Sequence, residues 1–236
     1  MADLKLIAII PALNEENTVA AVVDAAKRYV DEVIVVDDAS SDGTALSARG
    51  RGAIVISHCV RGGYEKSISD GFELAIASKA DIFVTLDADG QHLPSDIPRL
   101  TRPIEKGEAD IVVGIRNRRA RMSETLFATV AKAVIGIEDP LCGFKAYSAR
   151  VYKDIGYFDT ISSVGTQFLF SAKRKGYRLI QMDIDLKPRG DIPRFGGRVV
   201  ANYKILKALA KILVLLLCSD FFKERRDATE DGENRQ

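Results

Sequence analysis

Acidic side chains follow two short apolar runs of the sequence. One run ends in Asp37 and Asp38, and another is followed by Asp87-Ala88-Asp89-Gly90-Gln91-His92. Carboxylate and amide oxygens suit Mg²⁺ or Mn²⁺ rather than zinc, and such sites keep positions for water and phosphate oxygens. Gly90 permits the backbone turn that two carboxylates spaced i, i+2 need in order to converge. The second segment therefore predicts a metal site that could also hold a phosphate.

A simpler interpretation is that these aspartates form turns and cap helices, since Asp is common in both roles. It would apply to Asp37, Asp38, Asp42, Asp87 and Asp89 alike. Two acidic clusters at neighbouring strand ends would, however, repel each other unless a cation lay between them. That repulsion favours the metal site.

The elements that must position these residues alternate between strands and helices. Short β-branched runs at 6–10, 33–36, 53–57, 82–86 and 111–115 predict buried strands. Between the first two, apolar residues at helical spacing predict a helix, with Asn14 as its N-cap and Glu15 and Glu16 in its first turn. Further helices are predicted at 67–77 and 97–105. This order predicts an α/β fold with a mainly parallel, Rossmann-like sheet flanked by helices.

Beyond Phe127 the pattern becomes more α+β. A Gly-rich segment at 142–144 precedes a predicted helix at 167–175, and the alternating stretch 178–186 predicts a strand with one wet face. In open parallel sheets, ligands bind beyond the carboxyl ends of the strands. The acidic segments after the second and fourth strands are therefore expected at one binding edge.

Composition limits the possible partners. With 236 residues, 47% of them hydrophobic, the chain can bury one sizeable core. A net charge of +1 leaves no basic field for nucleic-acid binding. Three cysteines without a CxxC pair, and an N-terminus that lacks the features of a secretory signal, predict a reducing, cytoplasmic location.

The C-terminal stretch 199–226 predicts an amphipathic helix. Lys204, Lys207 and Lys211 share one face, and the apolar run 212–217 is far too short to cross a bilayer. A basic amphipathic helix can lie in the lipid headgroup region. The alternative is a helix that caps the sheet or forms a homodimer contact. The expected organisation is a main domain at 1–198, this helix, and a disordered polar tail at 227–236.

Four segments together resemble family 2 glycosyltransferases of the GT-A fold, most closely the dolichyl-phosphate and polyprenyl-phosphate sugar synthases, such as dolichol-phosphate mannosyltransferases. They occur in the family's order over roughly residues 5–195. They are Pro11-Ala12-Leu13-Asn14-Glu15-Glu16, Val35-Val36-Asp37-Asp38-Ala39-Ser40-Ser41-Asp42-Gly43-Thr44, Asp87-Ala88-Asp89-Gly90-Gln91-His92 and Asp139-Pro140-Leu141-Cys142-Gly143-Phe144-Lys145. A lone DxD would be weak evidence, whereas this ordered set is specific.

The resemblance implies a role for each matching residue. It implies a metal held by Asp87, Asp89 and Gln91, and a nucleotide-sugar bordered by Pro11, Ala12, Glu15, Asp37 and Asp38. Arg116, Arg189 and Arg194 are the arginines it favours for phosphate contacts, among a basic set that also includes Arg118, Arg119, Arg121 and Lys187. Two departures, Glu65 at a usually small position and Gln167 where Glu is frequent, fall where sugar or acceptor specificity could be set.

The role of Asp139 depends on the acceptor. A sugar hydroxyl must lose a proton as it attacks, and Asp139 is the candidate base. A lipid phosphate is already anionic, so Asp139 would then orient donor or acceptor. Of the histidines, His92 is expected either to support the metal motif or to make a local turn contact, and His58 to be structural.

The sequence therefore predicts an inverting, metal-dependent enzyme that transfers a sugar from a UDP- or GDP-sugar to a polyprenyl phosphate at the cytoplasmic membrane face. The nearest alternative acceptor is a sugar hydroxyl of a lipid-linked or surface glycan. A nucleotidyltransferase is disfavoured because no Gly-rich loop with a basic residue follows the first strand. A non-catalytic binding module is disfavoured by the intact Asp87, Asp89 and Gln91.

Overall fold

The centre of the molecule is a seven-stranded sheet with strand order β3-β2-β1-β4-β6-β5-β7. The computed structural model describes residues 4–116, 122–187 and 205–214. The strands are β1 (Leu6–Ala12), β2 (Glu32–Asp37), β3 (Ile54–Ser57), β4 (Ile82–Thr85), β5 (Ile111–Arg116), β6 (Lys145–Ser148) and β7 (Leu179–Ile184). All neighbouring pairs are parallel except those of β6, which runs antiparallel between β4 and β5. The predicted α/β class and mainly parallel sheet are confirmed.

Helices cover both faces of this sheet. They are α1 (Val19–Ala26), α2 (Thr44–Gly50), α3 (Tyr64–Ala77), α4 (Ile97–Glu105), α5 (Met122–Ile135), α6 (Ala149–Ile155) and α7 (Thr166–Arg174). Because side chains alternate across a strand, Ile7 and Ile9 of β1 pack with α3 on one face, while Ala8 and Ile10 pack with α1 on the other. Each face thus has its own apolar core.

The core on the α3 side is built around Phe72. Its ring centroid lies 4.9 Å from that of Phe83 on β4 and 5.2 Å from that of Tyr147 on β6. Tyr152 and Phe158 lie at 5.0 and 5.3 Å, in edge-on contacts typical of aromatic clusters. This cluster joins the unpredicted strand β6 to the rest of the sheet.

Gly71 lets α3 approach β1 closely. A Cβ at this position would lie 2.4 Å from Cγ2 of Ile9, so Gly71→Ala should destabilise the protein by about 1–3 kcal/mol through overpacking. Gly50→Ala in α2 is the matched control, since nothing lies within 4 Å of its Cβ. Urea unfolding measures both changes. Equal stability of the two variants would contradict the close packing of α3.

The predicted start of the first helix is wrong. Its N-cap is Thr18, and its first turn holds no acidic residue. Asn14 instead has a positive φ of 54°, and its side-chain oxygen accepts a hydrogen bond from the Ser41 N–H at 2.8 Å. The polar residues 14–16 therefore connect the β1–α1 loop to the β2–α2 loop. Because their hydrogen bonds are made there, they do not cap α1.

Part of the predicted C-terminal helix lies within the described residues. Residues 205–214 are helical, and Ala208, Leu209 and Ile212 pack into the core on the α3 side. The packing of 205–214 is what a helix that caps the sheet would show, while the membrane contact and the homodimer contact of 199–226 stay predictions. The rest of 199–226 and the predicted disordered tail 227–236 lie outside the described residues. Nowhere in 4–116, 122–187 or 205–214 is there a helix with the length and apolarity to cross a bilayer.

Candidate active site

The predicted site residues within 4–116 and 122–187 lie at one edge of the sheet. Strands β1, β2, β3 and β4 are parallel, so their carboxyl ends share this edge. The antiparallel strand β6 begins there, because Lys145 pairs with Thr85 at the end of β4. The loop 139–144 that leads into β6 therefore meets the loop 86–92 that leaves β4, which brings the two corresponding sequence motifs together.

Asp87 lies directly over Gly143. A Cβ on Gly143 would be 2.5 Å from Oδ1 of Asp87, so only glycine leaves room for the carboxylate. The backbone N–H of Asp87 donates to Nδ1 of His92 at 3.1 Å, and the His92 ring packs against Phe144 at 5.1 Å. His92 thus makes the local turn contact that was one of its two predicted roles.

Asp89 and Gln91 complete the turn after β4. Gly90 has a φ of 75°, as the predicted turn requires, and the Gln91 N–H donates to Oδ1 of Asp89 at 3.0 Å. The Gln91 carbonyl accepts from the Lys187 N–H at 2.9 Å, and the Gln91 side-chain nitrogen lies 3.5 Å from the Lys187 carbonyl. These contacts link the turn to the chain that follows β7.

The side chains of the turn after β4 can supply only some of the ligands of a divalent cation. No cluster of three or more His, Cys, Asp and Glu side chains in 4–116, 122–187 and 205–214 is arranged to hold a metal by itself. Two carboxylates and one amide oxygen, from Asp87, Asp89 and Gln91, are hard ligands of the type that Mg²⁺ and Mn²⁺ accept. Mg²⁺ commonly combines one or two carboxylates with substrate phosphates. These residues therefore fit an ion that takes its remaining ligands from a bound diphosphate.

The ends of β1 and β2 form the side of the site predicted to hold the nucleotide. Pro11 and Ala12 pair with Val36 and Asp37. Glu15 is buried, and its side chain accepts from the Thr18 hydroxyl at 3.1 Å. These four predicted residues, Pro11, Ala12, Glu15 and Asp37, lie at the edge that the sequence assigned to them.

Asp38 is engaged by protein groups. Its Oδ1 accepts from the Gly62 N–H at 2.6 Å and lies 2.8 Å from Nδ1 of His58, while Oδ2 accepts from the Gly63 N–H at 2.9 Å. Burial alone would raise the pKa of Asp38, but these hydrogen bonds outweigh it and lower the pKa. The expected repulsion between the two acidic clusters is thus relieved at Asp38 by the chain's own donors.

Arg116 and Asp139 form a two-pronged ion pair. Nε of Arg116 lies 2.7 Å from Oδ2 of Asp139 and Nη2 lies 2.9 Å from Oδ1, while the Arg116 backbone N–H donates to Oδ2 at 3.1 Å. Asp139 is 2% exposed, and Glu124 lies 3.5 Å from Nη2. Burial alone would lower the pKa of Arg116, but the interaction with Asp139 outweighs it and raises the pKa. Arg116 therefore holds a fixed charge at the end of β5.

Lys145 is a buried cation that the sequence did not mark as functional. Its ammonium donates to the Pro140 carbonyl at 2.7 Å and to the Val164 carbonyl at 3.3 Å, and burial lowers its pKa to about 8. Lys145 thereby ties the Asp139 loop to the loop before α7. In the sequence, Lys145 is the last residue of one of the four segments that resemble the family. Most lysines lie at the protein surface, however, so the residue type alone did not indicate a buried cation.

The two departures from the family pattern lie close to that same loop. Oε1 of Glu65, in the first turn of α3, accepts from the Val164 N–H at 3.3 Å. Oε1 of Gln167 accepts from the backbone N–H and the hydroxyl of Thr160 at 2.7 and 3.1 Å. Both side chains therefore hold the 159–166 segment. Arg189, Arg194, Arg118, Arg119 and Arg121 lie outside the described residues.

Gly143→Ala should displace the Asp87 carboxylate. Because a shift of about 1 Å in a positioning group can cost up to about 10²-fold in rate, we expect kcat/KM for transfer to fall about ten- to a hundredfold. The measurement is initial-rate kinetics together with Tm. Gly50→Ala, where the added methyl meets only open space, should retain full activity. Parental activity of Gly143→Ala would show that the position of Asp87 does not matter.

Comparison with known proteins places this arrangement in a family. The model of Glycosyl transferase family 2 matches residues 7–158. The undecaprenyl-phosphate mannosyltransferase of Micrococcus luteus is 28% identical over 83% of this chain and 90% of that protein. The UDP-N-acetylglucosamine–dolichyl-phosphate N-acetylglucosaminyltransferase of Methanococcus voltae is 31% identical over 65% of this chain and 73% of that protein.

A solved structure supports the fold independently. Glucosyl-3-phosphoglycerate synthase from Mycobacterium tuberculosis, crystallised with Mn²⁺, UDP and glucosyl-3-phosphoglycerate, superposes with a TM-score of 0.69 at 24% identity. The likeness covers 89% of this chain and 80% of that one. The family match spans both loops that meet over Gly143, as well as the ends of β1 and β2. The chain belongs to glycosyltransferase family 2.

Proposed function

We propose that this glycosyltransferase transfers a sugar from a UDP- or GDP-sugar to a polyprenyl phosphate, with inversion at the anomeric carbon. The observation that carries the proposal is the meeting of the Asp87–Gln91 turn with the Asp139–Lys145 segment, fixed by the contact of Asp87 with Gly143. The relatives from Micrococcus luteus and Methanococcus voltae, whose names state polyprenyl-type phosphate acceptors, support the acceptor class.

The proposed donor site lies between the ends of β1, β2 and β4. Pro11, Ala12, Glu15 and Asp37 would border the nucleoside, with Asp38 fixing the neighbouring loop. Asp87, Asp89 and Gln91 would hold Mg²⁺ or Mn²⁺, which would supply positive charge to the leaving diphosphate. Arg116 lies at the same edge, where Asp139 fixes its orientation, and it is proposed as a phosphate contact together with Arg189 and Arg194.

The state of Asp139 favours a phosphate acceptor. A carboxylate that accepts three hydrogen bonds, two of them from a guanidinium, is poorly suited to remove a proton from a sugar hydroxyl. A phosphate monoester needs no such base, because it is anionic near neutral pH. Asp139 would then serve to orient Arg116, whereas the sequence predicted that, with a phosphate acceptor, it would orient donor or acceptor.

The proposed reaction exchanges one phosphate ester bond of the sugar for another. An acceptor phosphate oxygen attacks the anomeric carbon from the face opposite the diphosphate, and the bond from that carbon to the diphosphate oxygen breaks. The electron pair leaves with the nucleoside diphosphate. The residues of the protein bind and orient the two substrates and stabilise the charge of the leaving diphosphate, and none of them needs to form a covalent bond with the sugar.

A lipid acceptor requires contact with a membrane surface. The helical segment 205–214 buries Ala208, Leu209 and Ile212 but exposes Leu206, Leu213 and Val214. We propose that this exposed apolar side, with the basic residues of 199–226, makes a peripheral contact at the inner face of the cell membrane, in a protein otherwise cytoplasmic. A homodimer contact through the same helix is the alternative. Sedimentation with anionic vesicles, against neutral vesicles, tests the membrane contact, and light scattering of the protein alone tests the homodimer.

The function is tested by product analysis. The purified protein is first screened by thermal shift with UDP, GDP and their sugars in Mg²⁺ or Mn²⁺, because a ligand that prefers the folded state raises Tm. The donor found is then supplied with polyprenyl phosphate or with a lipid-linked saccharide. We expect a sugar-phosphate diester of opposite anomeric configuration to the donor. Transfer only to the saccharide would replace the proposed acceptor by a glycan hydroxyl.

A further inference from the structure

His58 lies between two carboxylates that belong to different elements. Its Nδ1 is 2.8 Å from Oδ1 of Asp38, which follows β2, and its Nε2 is 2.8 Å from Oδ2 of Asp70 on α3. Lys66, one turn before Asp70 on α3, also pairs with Asp70. His58, Asp38 and Asp70 are all largely buried. The result is a chain of charged groups that joins the ends of β2 and β3 to α3.

The two contacts define the protonation of the imidazole. A carboxylate is an acceptor only, and a neutral imidazole has one nitrogen without a proton. Since both nitrogens face carboxylate oxygens, both must donate, and the ring carries a positive charge. Burial alone would lower the pKa of His58, but the hydrogen bonds to Asp38 and Asp70 outweigh burial and raise the pKa above its usual value. On the other side of Asp70, Lys66 pairs with its carboxylate and the negative charge of Asp70 also reaches the Tyr152 hydroxyl.

Asp38 connects His58 to the loop before α3. It accepts hydrogen bonds from two consecutive backbone N–H groups, those of Gly62 and Gly63. Gly63 has a φ of 89° and is the N-cap of α3. The first turn of α3 then presents Tyr64 and Glu65. Burial, followed by the negative charge of Asp87, raises the pKa of the Tyr64 hydroxyl, which indicates that the first turn of α3 lies near the predicted metal ligand.

We propose that protonated His58 is a positioning residue for donor binding: by bridging Asp38 and Asp70 it holds the Gly62–Gly63 loop and the first turn of α3 against the nucleotide-sugar site. This inference rests on the proposed function for its ligand. It assigns to His58 a role beyond the structural one expected from the sequence. Loss of the bridge removes the imidazolium from between Asp38 and Asp70. Lys66 still pairs with Asp70, but Asp38 loses the attraction of the imidazolium, and the repulsion from Asp70 would loosen the loop.

The experiment compares the parent with His58→Gln. Glutamine cannot donate to two carboxylates as a cation can, so we expect faster hydrogen exchange at the Gly62 and Gly63 amides. Calorimetry with UDP or GDP and Mn²⁺ should show about three- to tenfold weaker nucleotide binding, with KM for the donor rising more than kcat falls. Lys132→Gln, which removes a surface cation paired with Glu138, is the matched control and should bind like the parent.

The pH dependence of nucleotide affinity distinguishes a protonated bridge from a contact that only stabilises the fold. Because the folded-state pKa of His58 is raised, its stabilisation is complete below its usual pKa, near 6.5, and is lost as pH rises through the folded value. Nucleotide affinity of the parent should fall over the same range, and that component should vanish in His58→Gln. With two histidines in the chain, NMR titration of the parent and of Asp70→Asn locates the transition, which Asp70→Asn should shift to lower pH.

Each outcome decides the proposal. Unchanged protection of the Gly62 and Gly63 amides in folded His58→Gln would overturn it, as would loosened amides with parental nucleotide affinity. A parent that binds neither UDP nor GDP would instead refute the proposed function. In that case the amide protection still decides whether His58 holds the loop. If His58→Gln does not fold, Asp70→Asn removes half of the bridge and is measured in the same way.

Discussion

Asp89→Asn should lower kcat/KM for sugar transfer by about 10²- to 10³-fold while leaving Tm nearly unchanged. Removing one preorganised group that stabilises developing charge has an effect of this order. The Asp89 side chain is only partly buried, and the asparagine oxygen can still accept from the Gln91 N–H, so the turn should survive. The measurement is initial-rate kinetics, with calorimetry of UDP and GDP binding in the presence and absence of Mn²⁺.

The control separates the metal role from a general loss of charge. Asp24→Asn makes the same chemical change on α1, in a surface pair with Arg51 in which both side chains are about half exposed. It should behave as the parent. The metal-dependent part of nucleotide affinity should disappear in Asp89→Asn alone. If calorimetry and turnover of Asp89→Asn matched those of the parent, the assignment of this turn to the metal and diphosphate would be untenable.

The first half of the fold could be predicted because its signals are local. The runs in β1, β2 and β4 are β-branched and buried, and the polar residues at their ends need no tertiary information to be recognised. The edge that collects Asp37, Asp87 and Asp89 then follows from the parallel order alone. The elements of the nucleotide side of the site are therefore largely readable from sequence.

The second half depends on contacts that sequence patterns do not reveal. The strand β6 is four residues long and contains Lys145 and Ser148, so neither its length nor its composition marks it as a central strand. It forms because β4 and β5 supply partners on both sides and because Lys145 finds two carbonyls. The helix α5 was missed although Phe127, Ala128, Ala131 and Ile135 have helical spacing. Gly156, in the left-handed conformation that ends α6, was a further unused signal.

Charge compensation is where sequence reasoning missed the structure most clearly. The repulsion between two acidic clusters indicated a cation, but at Asp38 the compensation comes from His58 and from two glycine amides more than 20 residues away in sequence. No local pattern links a histidine after β3 with an aspartate after β2. The adjacent glycines Gly62 and Gly63 were the only feature of the sequence that we could have used, since consecutive backbone N–H groups can bind an anion.

Arg116→Met in the Arg116–Asp139 pair should be strongly destabilising, and adding Asp139→Asn should recover part of that loss. Breaking a buried ion pair by removing one partner costs about 3–5 kcal/mol, since the other charge stays buried and uncompensated. We expect a loss of this order in Arg116→Met, which removes the guanidinium from both Asp139 and Glu124, and a smaller loss in Asp139→Asn, because Glu124 stays 3.5 Å from Nη2 of Arg116. In the double variant the introduced asparagine oxygen can still accept from the backbone N–H of residue 116. A coupling free energy of about 1–3 kcal/mol from urea unfolding is therefore expected.

The transfer activity of these variants should not follow their stability. If Asp139 only orients Arg116, then Asp139→Asn loses no more transfer to polyprenyl phosphate than Arg116→Met does, and the double variant recovers none of it. A general base contributes about 10²- to 10⁴-fold, so an Asp139→Asn loss larger than that of Arg116→Met by such a factor would contradict the orienting role. A phosphate acceptor predicts the first outcome, because no proton has to be removed from it. The relative loss in the two single variants thus tests whether Asp139 acts as a base in the transfer reaction.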